Sequence, residues 1–344
     1  MGTRTRTHTH VANADIAGRT GQSATAPLPT MPRIALLPTM LRIALLTTLV
    51  VMLSLPLSAC TSSSGTQSVS QASVSAEVIG EPDLDTLYDL ISEEDVDSIL
   101  EQAATNPDAA WIAANASAYD AYDQYVELKV LRLVAAEPMA AAFVRGFPEN
   151  YPTDPDWVVE DDEPDYSAPG LPTGSPSPDV PNTAIPHLYQ WDVRWAFTTY
   201  NGDAFGIAGC GPTSLAMVYQ GLTGKTDITP YDVGKWSIDN GYTVPYAGTS
   251  NELFFDITDY LGLKVEDIPV DAESIITTLE EGRPIIASVA PGYFTSFGHF
   301  FVLAGVTDDG QVILNDPYSG TRSSQLWDPD LIAYNSYALY AYSL

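Results

Sequence analysis

Apolar residues fall into four regimes along the 344-residue chain. They run almost unbroken from Ile43 to Leu57, and recur every three or four positions from Asp83 to about Gly146. Prolines and acids interrupt them over 147–183, and from 184 onward helical and alternating periods take turns. In the second regime Leu84, Leu87 and Ile91, then Val96, Ile99, Leu100 and Ala103, keep a helical spacing, and Ser92 with Asp95 makes a capping-box-like start. Three or four short helices are predicted, broken at Asn106-Pro107 and Glu137-Pro138. In the fourth regime Thr229-Pro230 opens a helix closing near Gly241, Ser250 opens one ending at Gly262, and Asp271 opens one ending at Gly282-Arg283-Pro284. Strand signals follow at Ile285–Val289, Phe300–Val306, Val312–Leu314 and Ala338–Tyr342. Helices first and antiparallel strands afterwards predict an α+β domain.

The first regime reads as an export signal. A basic start (Arg33, Arg42) leads into an apolar run of about 15 residues, short of the roughly 20 that span a bilayer. The run ends at Leu57-Ser58-Ala59-Cys60, which resembles the lipobox of bacterial lipoproteins. That resemblance implies removal of residues 1–59, a lipid on Cys60 and an extracytoplasmic protein anchored to the cell membrane; the alternative is a plain secretory peptide. Residues 1–30 precede any signal-like pattern, and Met31 or Met40 would each give a normal start to it. Residues 60–82 are a Ser-rich tether with a reach on the order of 25 Å. The expected organisation continues with a small helical region over 83–146, a Pro-rich acidic linker over 147–183, laid on the next domain through Tyr151, Trp157 and Tyr166, and a domain over 184–344.

Charge narrows the partners. Taking off residues 1–59 removes five of the 14 basic residues and one of the 44 acidic ones, leaving a net charge of −34. Nucleic acid is excluded as a partner, and anionic lipid headgroups would be repelled, so membrane attachment falls to the anchor. The run Glu160-Asp161-Asp162-Glu163 lacks the spaced ligands of a calcium loop, so no metal or other cofactor is expected.

With Cys60 lipidated, Cys210 has no disulfide partner. It lies in GIAGCGPTSLAMV, where Pro212, lacking an N–H, fits the first turn of a helix whose inner face is Leu215, Val218, Tyr219 and Leu222. At a helix N-terminus the free N–H groups favour a thiolate. Gly209 and Gly211 are expected to let a substrate backbone come close. A buried cysteine that merely caps a core helix is the alternative, and only partners can decide.

A nucleophilic cysteine needs an imidazole and a group to orient it. His299 opens HFFVLAGV and Asp316 closes QVILNDP. With a four-residue loop, Thr307–Gly310, Val306 pairs with Gln311 and Asp316 falls opposite Phe301, one diagonal step from His299. A two-residue Asp309-Gly310 loop would place Asp316 opposite Leu303, too far without a bulge. His299 could equally be a core histidine beside Phe297, Phe300 and Phe301, while His187 lies in the proline-bounded entry to the domain, a poor place for a base. Gln190 could join the Cys210 backbone N–H in an oxyanion hole. Trp236, Tyr242, Tyr246 and Tyr293 are candidates for either core or cleft lining.

The order Gln, Cys, His, Asp is that of papain-fold cysteine peptidases. More closely, YQWDVRWAFTTYNGDAFGIAGCGPTSLAMV, TPYDVGKWSIDNGY and GHFFVLAGVTDDGQVILNDP resemble stand-alone relatives of the bacteriocin-processing (double-glycine leader) peptidases, cysteine peptidase family thirty-nine. The resemblance spans about 184–344. It implies a papain-like fold, Cys210 as nucleophile, His299 as base and then acid, Asp316 orienting the imidazole, Gln190 in the oxyanion hole, and a peptide or protein substrate. Leader peptides are doubtful substrates, because no transporter segment follows. Two other readings stay open: an enzyme acting on cell-wall peptide crosslinks as amidase or transpeptidase, and an inactive surface-binding lipoprotein. Oligomeric state is left open.

Overall fold

The computed structural model describes residues 79–344 except 123, 154–161 and 245–247. The export signal, the tether up to residue 78, Cys60, Trp157 and Tyr246 therefore lie outside the described residues.

Five helices open the described chain: α1 (Leu84–Leu90), α2 (Glu93–Ala103), α3 (Pro107–Ala114), α4 (Gln124–Ala136) and α5 (Ala141–Asn150). The local signals act as expected. Ser92 Oγ accepts the Asp95 N–H at 3.2 Å, and Asn106 caps α3, which opens on Pro107. Helix α5 runs four residues beyond the Gly146 boundary, through Pro148. Proline takes away the N–H that would bond the Val144 carbonyl, and the buried Tyr119 hydroxyl donates to that carbonyl instead, at 2.8 Å.

Next come α6 (Cys210–Thr223), α7 (Pro230–Asp239) and α8 (Ala272–Glu280), and a sheet of β1 (Lys264–Ile268), β2 (Ile285–Val289), β3 (His299–Val306), β4 (Val312–Asn315), β5 (Leu326–Trp327) and β6 (Ser336–Ser343). The sheet is antiparallel, in the order β1-β6-β2-β3-β4-β5. Strand β1 was not anticipated: as an edge strand it buries only Ile268 and has no alternating pattern to betray it. The segment from Ser250 to Gly262 is two single turns, Leu253–Asp256 and Thr258–Leu261, closed by Gly262 in the left-handed region. One face of the sheet packs Ile286, Phe300, Val302 and Tyr342 against Leu215 and Val218 of α6. The other packs Ala287, Phe301, Leu303 and Leu314 against Ile275 and Leu279 of α8. A cysteine-bearing helix on an antiparallel sheet that carries the histidine and aspartate is the papain-like α+β arrangement.

The first helices are part of the same compact unit as the sheet. Val96, Ile99, Ile112, Val134, Phe143 and Phe147 share a core with Tyr189, Trp191 and Ile207. The segment between them lies on the domain, where Tyr151 Oη donates to the Phe197 and Thr198 carbonyls, Tyr166 Oη meets Thr229 Oγ1 at 2.8 Å, and the Leu171 N–H reaches Asp192.

The β3–β4 turn reaches the expected end by another path. Thr307 N–H bonds the Gln311 carbonyl, leaving a three-residue loop with Gly310 at φ +82°. That loop alone would shift the register by one residue. An irregularity between Leu303 and Gly305 shifts it back, so Leu303 faces Leu314 and Val302 faces Asn315, which continues to Phe301 opposite Asp316.

Candidate active site

Cys210 is the first residue of α6 and is half-buried; Pro212 follows within the first turn and Gly224 ends the helix at φ +68°. Its glycine neighbours serve a different end from the one expected. A Cβ on Gly211 would lie 2.6 Å from Thr249 Oγ1, and one on Gly209 would lie 2.4 Å from the Phe205 ring. Both therefore permit close packing of the turn that presents the sulfur, not the approach of a substrate backbone.

The His299 ring and the Phe300 backbone N–H lie close enough to the sulfur to act on it. Burial pushes the Cys210 thiol up, but the His299 ring with its charge, the Phe300 N–H and the Lys129 charge outweigh it, and its pKa is lowered overall. Burial works the other way on His299, opposed by the Asp316 charge and hydrogen bond and by Cys210, and the ring is held up at about 9. The two shifts together favour a thiolate–imidazolium pair. His299 is 8% exposed, and its Nε2 donates to Asp316 Oδ1 at 2.8 Å. That bond leaves Nδ1 as the ring atom for sulfur.

Asp316 is 0% exposed yet ionised. Its Oδ1 also accepts the backbone N–H groups of Tyr318 (2.7 Å) and Ser319 (3.1 Å), and Oδ2 accepts Arg322 Nε at 2.6 Å. Burial would raise this carboxyl, but the Arg322 and His299 charges hold it well below the usual carboxylate range. Arg322 comes from α9 (Gly320–Ser323), the single turn that follows.

A further layer fixes this turn. The Asp316 carbonyl accepts His187 Nε2–H at 2.8 Å, and the Asp316 N–H bonds Ser323 Oγ at 2.9 Å. A carbonyl can only accept, so the buried His187 ring carries a proton on Nε2, and burial lowers its pKa, favouring the neutral form. It is a support behind Asp316 and not a base. From the first helices Glu137, buried just past the end of α4, accepts Ser319 Oγ at 2.7 Å and the Thr321 N–H at 3.0 Å. Gly320 must be glycine here, since a Cβ would lie 2.7 Å from Tyr189 Oη and 3.0 Å from Glu137 Oε2.

Gln190 is buried, lines the same cleft as Cys210, and gives one Nε2–H to the Gly206 carbonyl at 2.9 Å. The amide has a second N–H, and the Cys210 backbone N–H is among the free donors of the first turn of α6. The cleft has a volume of about 620 Å³ and exposes Cys210 and His299 along its floor. Its aromatic lining is Phe294, Phe297 and Tyr318. Trp236 and Tyr242 are instead stacked on each other at 5.5 Å, away from it, and Tyr293 is 67% exposed and outside the lining.

Sequence reasoning thus named the four residues that the structure gathers, Cys210, His299, Asp316 and Gln190, and missed Arg322, Glu137 and the supporting role of His187. Arg322 had one available signal: it is one of only nine basic residues in 60–344 and lies six positions after Asp316. Glu137 had none.

Residues 183–342 match the model of the Peptidase_C39 like family. Among solved structures, the peptidase domain of Streptococcus ComA, a bi-functional ABC transporter involved in a quorum sensing pathway, shares 18% identity over 40% of this chain and 91% of that chain, with a TM-score of 0.32. No curated protein matches the chain.

Proposed function

We propose that residues 183–342, which match the Peptidase_C39 like family model, form a C39-related domain and that the protein is a cysteine peptidase working through Cys210, His299 and Asp316. The observation that carries the reading is the placing of the Cys210 sulfur beside the His299 ring, itself hydrogen-bonded to a buried carboxylate, in the lining of an open cleft.

The thiolate adds to the carbonyl carbon of a peptide bond. The resulting oxyanion is met by the Cys210 N–H and the second Gln190 Nε2–H. His299 gives its Nδ1 proton to the leaving amine, the C–N bond breaks, and a thioester remains. Water, deprotonated by the same ring nitrogen, then adds to the thioester carbon. The acid is released and the thiolate returns. Asp316 stays ionised throughout, orienting the ring and balancing its charge. The pattern of residues 33–60 supports a lipid on Cys60, so that this chemistry takes place outside the cytoplasm at the end of a membrane tether.

The test is digestion of a mixed peptide library by the chain and by Cys210→Ala, with cleavage sites read by mass spectrometry. Cleavage by the first and not the second is expected. Equal products from both, or from neither, would refute the reading; cleavage confined to cell-wall crosslink peptides would redirect it to wall chemistry.

A further inference from the structure

Resting on the peptidase reading, we propose that Arg322 touches the substrate. With Nε on Asp316, its remaining N–H groups hold a backbone carbonyl oxygen of the departing segment, so the site selects α-peptide bonds over amides of simple or side-chain amines.

The donors of Arg322 carry the inference. A guanidinium presents five N–H groups in a rigid fork. Arg322 uses Nε–H on Asp316 Oδ2 at 2.6 Å, and among the described residues the other side-chain donors have no hydrogen-bond partner. The side chain is nevertheless far from open solvent: it is 24% exposed and lines the cleft together with Cys210, His299 and Gln190. A substrate that fills the cleft must bring an acceptor, or it buries these donors unpaired.

Position tells which part of the substrate supplies that acceptor. His299 Nε2 and Arg322 Nε bind the two oxygens of one carboxylate, at 2.8 and 2.6 Å, so the guanidinium lies beside the ring that protonates the leaving amine. Gln190 and the Cys210 N–H serve the oxyanion instead. A peptide advances about 3.5 Å per residue, so the first carbonyls beyond the cleaved bond are the acceptors within reach. Where the leaving amine is a lysine side chain, the nearest backbone carbonyl on that side lies several bonds farther off.

Charge tells which kind of acceptor fits. The positive charge of Arg322 is matched by the buried Asp316, whereas its donors are not used up, and this favours a neutral carbonyl over a second carboxylate beside the first. The residue is also held in place before substrate arrives. Its N–H bonds Ser319 Oγ at 3.1 Å, Ser319 is anchored on Glu137, and its carbonyl accepts Trp327 Nε1–H at 2.8 Å.

The test uses the full chain and pools of peptides that share a short randomised acyl part and differ in the leaving amine. The amines are alaninamide, its carbonyl-free isostere 1,2-dimethylpropylamine, alanine with a free carboxylate, and the Nε of lysine amide. Release of alaninamide should exceed that of the isostere and of the lysine Nε at least tenfold in kcat/KM. Free alanine should gain nothing over alaninamide; a tenfold gain would assign a carboxylate and overturn the neutral acceptor. In Arg322→Lys the alaninamide-to-isostere ratio should fall to within twofold of one, and damage to the relay divides out of that ratio because it slows both alike. A ratio near one in the unaltered chain, or one unchanged in the variant, overturns the proposal. A second measurement needs neither turnover nor an Arg322 variant: modification of Arg322 by phenylglyoxal in Cys210→Ala, followed in its own peptide by mass spectrometry. The alaninamide pool should slow this reaction at least fivefold more than the isostere pool does, and equal rates with the two pools overturn the contact. No release from any pool removes the peptidase reading, and the phenylglyoxal result then decides the contact by itself, as it does where Arg322→Lys fails to fold.

Discussion

Asp316→Asn should disable the relay here, although an amide is nearly isosteric with the carboxylate. Two orientations are available. With its oxygen in the place of Oδ1, the amide keeps the donors from His299, Tyr318 and Ser319, but its NH₂ then faces the Arg322 Nε–H, donor against donor. Turned over, the NH₂ faces the other three donors instead. Either way the His299 ring loses the negative charge that opposes burial. Its pKa should drop from about 9 to the ordinary 6.5 or lower, a change of at least ~2.5 units, or about 3.5 kcal/mol at ~1.4 kcal/mol per unit. The thiolate–imidazolium pair then weakens a few hundredfold. The sign follows from the directions of the two shifts: in the unaltered protein the pair persists from the lowered Cys210 pKa up to the raised His299 pKa, and activity should fall as pH rises through about 9. Iodoacetamide alkylation of Cys210 against pH should show two steps, the second near 9, where imidazolium loses its proton. Asp316→Asn should leave a single step in the range of an ordinary thiol. Retention of both steps in that variant would refute the electrostatic account.

Two further outcomes follow from the wider structure. Glu137→Ala leaves Ser319 Oγ and the Thr321 N–H without their buried acceptor, at about 1–3 kcal/mol; a lower Tm should be accompanied by slower Cys210 alkylation at neutral pH, because the turn bearing Arg322 loosens, and an unchanged alkylation rate would show that the turn stands without it. Cys60→Ala should move the protein from the membrane fraction to the soluble one without changing cleavage of a soluble peptide, and its persistence in membranes would dismiss the lipid anchor.

Local signals carried much of the site. Pro212 placed Cys210 at a helix start because a residue without an N–H belongs in the first turn. Short apolar runs bounded by turn residues placed His299 and Asp316 on neighbouring strands. The loop length was misjudged by one residue, yet the partnership survived, because the bulge near Ala304 compensates and the buried faces of β3 and β4 tolerate no other register. The glycines flanking Cys210 were misplaced, and the choice between core and cleft for the aromatic residues stayed open, for a single reason. Their roles depend on neighbours distant in sequence, Thr249 for Gly211 and Tyr242 for Trp236.

By itself the sequence determined most of the elements and the order of the reactive residues, since both rest on local rules of capping, periodicity and pairing. Only the tertiary structure decided how the buried Asp316 charge is sustained and what forms the cleft wall. An ionised carboxylate away from water needs partners from wherever the fold can bring them. Here the carboxylate is met by His299 and by Arg322 six residues on, while His187 holds the Asp316 backbone from 129 positions upstream and Glu137 holds the following turn from 179 positions upstream of Asp316. No spacing along a chain encodes a meeting at that range; it exists only once the apolar faces of the first helices are buried against Tyr189 and Trp191.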